Sequence, residues 1–306
     1  MKKLIFALAV GMTAAAALAA GPKMKAIFTV PHELDMLLKY GHIQGATCSE
    51  KALYLSHQGG IVKLDWQTGK LIKSVEAPMH LGDIAYAKGR IYGAFGVREY
   101  ATNETPCQVA MWDEDLKLLK KTSFRYLRAN GKSLARGFDG AVVVGDTFYT
   151  GLDHTGEAVW DCPPHTDCPI MAYTLDLEPK GVMSVDLGYT ILYGVQTLAT
   201  DGKNLMLGNY GGQRDKGNPK GYNFSVVTTD GKVVRNGGFG CSEGFGLVPK
   251  SVSKRETPVY FTVQALGGNM QGWRKDPEKN PPRIRIDFYE YANGSFADIT
   301  DRSEKK

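Results

Sequence analysis

Several signatures of familiar chemistries are missing from these 306 residues. No Gly-x-Ser-x-Gly turn exposes a nucleophilic serine, and no His-Glu-x-x-His pair holds zinc on a helix. The glycine-rich run Gly237-Gly-Phe-Gly-Cys-Ser-Glu-Gly244 lacks the lysine and the strand-to-helix setting of a phosphate loop. Positive charge is not gathered into a stripe. The chain has 37 Lys and Arg against 32 Asp and Glu, a formal +5, and two of those charges, Lys2 and Lys3, lie in a segment expected to be removed. Nucleic acid therefore has no electrostatic claim on it. After the first twenty residues no run is apolar and long enough to cross a bilayer. Five cysteines are too few for a dense disulfide scaffold, and 43% hydrophobic content excludes wholesale disorder.

What is present begins with an address. Lys2-Lys3 forms a charged start, Leu4–Leu18 is an apolar and small-residue run, and Ala17-Leu18-Ala19 offers the small residues a signal peptidase prefers. Residues 1–20 are expected to be a secretory leader cut near Ala19–Gly21, leaving a periplasmic or secreted protein. Cys162 and Cys168 bracket Pro-Pro-His-Thr-Asp, a short loop that an oxidising compartment is expected to staple as a disulfide. A metal held by these thiolates with His165 and Asp167 is the alternative, though it lacks a standard zinc spacing. Cys48, Cys107 and Cys241 cannot all pair with one another.

The chain repeats itself. Five stretches share one grammar: a small or polar strand, a tight turn, a strand ending in Tyr or Phe, a variable loop, a third strand, an Asp/Gly turn and a fourth strand. His42–Cys48, Ala52–Ser56, Ile61–Asp65 and Leu71–Val75 make the first unit; His80–Tyr86, Arg90–Ala94, Gln108–Trp112 and Leu118–Thr122 make the second. With Gln44, Asp83, Asp139, Gln196 and Glu243 as markers, the intervals are 39, 56, 57 and 47 residues. Four short strands per unit of this length predict an all-β fold, a β-propeller of four-stranded antiparallel blades. Period-two alternation and recurring turn residues exclude a helical reading, and a β-sandwich leaves the ordered grammar unexplained. Five blades are expected, with six as the alternative, in one domain over residues 21–301. Residues 302–306 are read as a solvated charged tail. Ala26–Val30 is expected to close the ring on the last blade, with Phe296–Ile299 as competitor.

On this repeat grammar the chain resembles the secreted β-propeller proteins of bacteria, which include sugar hydrolases, lyases, lectins, cyclases and lactonases. The five-bladed arabinanase-type glycosidases are similar in blade count, and the resemblance would imply an acid on the first inner strand. This chain has Gln44 there.

The connections Val97–Pro106, Asp153–Pro169, Tyr210–Tyr222 and Ala265–Pro282 are long, whereas Ala87–Arg90, Val144–Thr147 and Asp201–Asn204 are minimal turns. Long loops on a rigid scaffold carry binding residues, so function is expected on that face, over the central channel. Asp83, Asp139 and Glu243, with His42 or His80, are the expected catalytic groups: converging acids raise one another's pKa and divide into general acid and base, as glycoside cleavage requires. Such acids also line propeller channels as purely structural groups. Gln44, Gln196, Arg98, Tyr100, Asp153, His154, Asn209, Tyr210 and Trp160 are the expected substrate-binding residues. A channel-bound divalent cation, calcium or zinc, is a further expectation. Two functions compete: a hydrolase or lyase acting on a glycan or similar polar ligand, and a non-catalytic binding propeller, lectin-like or a scaffold. Unlike residues in the marker column favour one central site over repeated peripheral ones. A monomer is expected.

Overall fold

The structure is a computed structural model that describes residues 22–28, 41, 43–77, 80–95, 107–124, 138–152, 165–191, 194–209, 217–241, 244–266 and 283–303. Two short strands come first, β1 (Met24–Lys25) and β2 (Ile27–Phe28). Five four-stranded antiparallel units follow. Blade 1 is β3 (Ile43–Cys48), β4 (Ala52–His57), β5 (Gly60–Asp65) and β6 (Leu71–Glu76). Blade 2 is β7 (Leu81–Ala87), β8 (Arg90–Phe95), β9 (Cys107–Asp113) and β10 (Leu118–Phe124). Blade 3 is β11 (Phe138–Val144), β12 (Thr147–Leu152), β13 (His165–Thr174) and β14 (Pro179–Ile191). Blade 4 is β15 (Val195–Thr200), β16 (Leu205–Asn209), β17 (Phe224–Val227) and β18 (Val233–Gly237). Blade 5 is β19 (Phe245–Val248), β20 (Val259–Leu266) and β21 (Arg283–Ala292), with its outer edge shared between β2 and the hairpin strand β22 (Ser295–Asp298). The chain is a five-bladed β-propeller, as the repeat predicts.

The strands follow from what each blade must bury. Strand β4 is buried at every position, because alternate side chains enter different interfaces. Leu53 and Leu55 join blade 5 in one cluster with Val263, Phe261 and Ile286, while Ala52 and Tyr54 join blade 2 against Leu81, Ile91 and Trp112. The same partition repeats around the ring, giving five apolar clusters for five interfaces. Burying a large side chain stabilises by roughly 1.5–3 kcal/mol, so the ring is held by side-to-side packing with no single central core. Outer strands face water on one side, and β6 and β10 accordingly leave Ile72, Leu118 and Leu119 exposed.

Ring closure uses both expected segments at once. Ile27 and Phe28 pair antiparallel with Ile286 and Arg285 on the first half of β21, while β22 pairs with its second half, Tyr289–Ala292. Strand β1 runs parallel to β23 (Thr300–Asp301), with Met24 opposite Thr300. Arg302 was expected in a solvated tail. Instead its guanidinium lies 3.1 Å from the buried Asp287 carboxylate and 2.8 Å from Asp298. Arg285 also pairs with Asp287, at 2.7 Å. Arg255 ties Glu290 to the carbonyl of Pro22. Among the described residues no helix is long and apolar enough to cross a membrane. The expected leader, residues 1–20, lies outside the described residues.

Candidate functional site

Each of the first four inner strands carries a one-residue β-bulge at the same place, where two residues on that strand oppose one on its partner. The ladder skips Gln44 in blade 1, Gln196 in blade 4, and the pairs Gly82-Asp83 and Asp139-Gly140 in blades 2 and 3. Strand register makes Gln44, Gly82, Asp139 and Gln196 equivalent, and Gly45, Asp83, Gly140 and Thr197 the next position. This corrects the marker column drawn from sequence: Asp83 stands one residue beyond Gln44, Asp139 and Gln196. A bulge adds a residue without adding a residue type, so matching polar residues by eye slipped by one.

The slip matters because the second position faces the axis. Asp83 is 0% exposed. Its Oδ1 accepts the N–H groups of Ala46 at 3.0 Å and Ile84 at 2.9 Å; its Oδ2 accepts those of Leu198 at 3.0 Å and Ala141 at 3.5 Å. One carboxylate thus joins four blades. Gly45 is glycine because a Cβ there would strike Asp83 Oδ1 and Cα, and a Cβ on Gly82 would lie 2.6 Å from the Asp139 backbone. Burial pushes the Asp83 carboxyl well above the usual carboxylate range, and the four N–H bonds oppose that shift. All four partners are donors, so the ionised form is the one they complement. Asp83, expected as a general acid or base, is enclosed and accepts four backbone N–H bonds. The lining also speaks against a channel cation at this level, since converging N–H groups suit an anion. Among the described residues no three His, Cys, Asp or Glu side chains are grouped to hold a metal.

On the strand-start side of Asp83 lie the bulged residues. Gln196 Nε2 donates to Gln44 Oε1 at 3.1 Å, reaching across from blade 4 to blade 1. Gln44 Nε2 in turn sits 3.4 Å from both ring nitrogens of His80, just ahead of β7. Asp139 is 3% exposed at the equivalent position of blade 3. The antiparallel pairing of Ile43 with His57 and Val195 with Asn209 puts inner-strand starts and second-strand ends on this one face, from which the segments 96–106, 153–164, 210–216 and 267–282 depart. Among the described residues of this face, amides outnumber acids: Gln44, Gln196 and Asn209 stand beside Asp139. An amide chain ending on an imidazole can orient a polar ligand by hydrogen bonds and offer one titratable group beside it.

The other expected residues divide. His57, at the end of β4, is buried and donates from Nδ1 to the carbonyl of Gly41 at 2.9 Å. Asn209 Nδ2 donates to the Tyr189 hydroxyl at 2.6 Å, which lies 2.8 Å from Ser225 Oγ. Ser225 donates to Asn236 Oδ1 at 2.9 Å, and Asn236 Nδ2 to the carbonyl of Leu187 at 2.8 Å. This buried polar chain between blades 3 and 4 places Asn209 in the packing between blades, and sequence reasoning missed Tyr189, Ser225 and Asn236, whose strand positions look like ordinary alternation. Cys168 was expected to pair with Cys162. Cys162 lies outside the described residues, and Cys168 is a free, buried thiol in β13, packed among Tyr189, Leu187 and Val185. Burial raises its pKa, as it does for Cys48, and pushes Cys241 up to about 12. The expectations for Glu243, His42, Arg98, Tyr100, Asp153, His154, Tyr210, Trp160 and Cys162 fall outside the described residues.

No family model matches the chain, and no curated protein matches its sequence. Solved structures do share its fold. Glutaminyl cyclase of Myxococcus xanthus superposes with a TM-score of 0.51 at 10% identity, over 88% of this chain and 97% of that one. Hydrazine synthase of Kuenenia stuttgartiensis gives 0.42 at 16% identity, over 84% and 65%, and the Pan2 WD40 domain of Neurospora crassa gives 0.43 at 7%, over 85% and 77%. At these identities the likeness is one of fold alone: the chain is an all-β, five-bladed propeller.

Proposed function

We propose that this protein binds a small polar ligand, a glycan fragment or a molecule of similar hydrogen-bonding character, on the axial face above Asp83. The observation that carries the reading is the Gln196–Gln44–His80 chain, which links blades 4 and 1 to the start of blade 2. Amides donate and accept at once, as sugar hydroxyls do, and a ring of unlike residues makes one site where a lectin ring would make several. His80 and Asp139 are the groups proposed to move protons in any hydrolase or lyase step, with His42 and Glu243 as further candidates. Asp83 takes no part in it. The leader expected over residues 1–20 would deliver the protein to the periplasm or outside the cell.

The test is calorimetric binding of the mature protein to a panel of neutral, acidic and sulfated glycans, with mass spectrometry of any products. A ligand of this site loses about tenfold or more in affinity on Gln44→Leu and Gln196→Leu, the cost of one or two hydrogen bonds, while both variants keep the fold. Retained affinity in both would remove the site. Products that disappear on His80→Ala and Asp139→Asn would establish an enzyme, and binding without products would establish the non-catalytic reading.

A further inference from the structure

We infer that the propeller axis is a carboxylate-binding seat, built by the four bulges and filled from within by Asp83. Four backbone N–H groups converge on it, from Ala46, Ile84, Ala141 and Leu198, one from each of blades 1 to 4. They occupy the same register position, immediately past the bulge. Among the described residues blade 5 donates no N–H to Asp83, and its ladder is described from Phe245, the position equivalent to Ala46, onward. In each of these four blades the bulge immediately precedes the N–H that turns towards the axis. No Lys or Arg pairs with Asp83 among the described residues. Its countercharge is the set of backbone dipoles, as in other nests of N–H groups.

The seat has a shape as well as a sign. Each oxygen takes two donors, so a planar two-oxygen anion satisfies all four N–H groups, whereas a spherical halide of one centre does not. The walls are close: a Cβ on Gly45 would meet the bound carboxylate itself, and one on Gly140 would lie 2.9 Å from Leu198 Cγ. A small carboxylate fits and a bulky anion is excluded. This site is separate from the ligand face proposed above, and its test reads neither ligand binding nor turnover.

The experiment removes the internal ligand and supplies an external one. Asp83→Ala in the full chain leaves four buried donors unsatisfied and lowers the folding constant by on the order of a hundredfold or more in sodium chloride. Sodium formate at equal ionic strength restores at least tenfold of that loss in urea titrations, and leaves the unsubstituted protein unchanged. Should Asp83→Ala fail to fold in chloride, the yield on refolding from urea gives the same comparison, and formate raises it. Asp83→Asn keeps the volume but turns an NH2 towards two N–H groups. It is destabilised and insensitive to formate, because the seat is full. Formate acting no better than chloride on both stability and refolding yield, or Asp83→Asn matching the unsubstituted protein, would overturn the assignment.

Discussion

Gly45 and Gly89 make a matched pair of probes. At Gly45 a methyl group meets the Asp83 carboxylate and backbone, with no flexible neighbour to yield; at Gly89, φ +75°, it meets open space. Gly45→Ala should cost about 3 kcal/mol or more through collision in a closed site. Gly89→Ala should cost only about 1 kcal/mol, the strain of a left-handed backbone. Urea unfolding of the two variants checks the difference, and equal losses would mean that the axis has slack. At this scale the sequence was partly legible. Residue types marked Asp83, Gln44, Asp139 and Gln196 as polar inner-strand residues in an apolar setting. Their division of labour was not readable, because Asp83 is bound by backbone N–H groups, which every non-proline residue carries and which leave no trace in composition.

At the scale of elements, the composite outer strand of blade 5 is where stability should be most exposed to change. Deleting residues 22–28 removes β1 and β2, leaves Arg285 and Ile286 without their edge partners, and should lower the thermal midpoint by several degrees or more. Calorimetry reads this directly. The clasp is also acid-sensitive. Burial pushes the Asp298 carboxyl up, but the bonds from Thr300 and the Arg302 guanidinium outweigh it and hold the carboxyl below its usual range. A lowered folded value means stability that is present above the ordinary aspartate range and is lost as pH falls through the folded value. Arg302→Ala should therefore move the Asp298 titration upward, followed by carboxyl NMR, and flatten part of the acid dependence of the urea midpoint. Strand limits were legible to within a residue or two in blades 1 and 2, where turns such as Lys88-Gly89 punctuate the chain, but β13 and β14 run three to five residues further than the pattern indicated. The clasp was half legible. Two segments were seen to compete for an edge that is long enough for both, and edge length depends on register, which spacing does not reveal.

For the molecule as a whole, the absence of a single core predicts how its thiols behave. Cys48, Cys168 and Cys241 lie in interfaces between different blades, and burial raises all three. Native protein should resist alkylation at these positions at neutral pH and react only as the ring opens. Mass mapping after a brief pulse of iodoacetamide checks this. Rapid labelling of Cys168 in the native state would contradict its burial. The number of blades was legible because each strand must satisfy two interfaces, which imposes one hydrophobic grammar five times. Contacts across the axis, such as that between Gln44 and Gln196, join residues 152 positions apart, and no local pattern records them.

The shared outer strand also sets a clock. On the ribosome Met24 and Ile27 are made long before their partners Thr300 and Ile286. Until those partners emerge, β1 and β2 have no edge to join, and the apolar face of blade 1 that waits for Phe261 and Ile286 stays uncovered. Such a chain gains little by folding as it emerges and depends on being held open until blade 5 has been made.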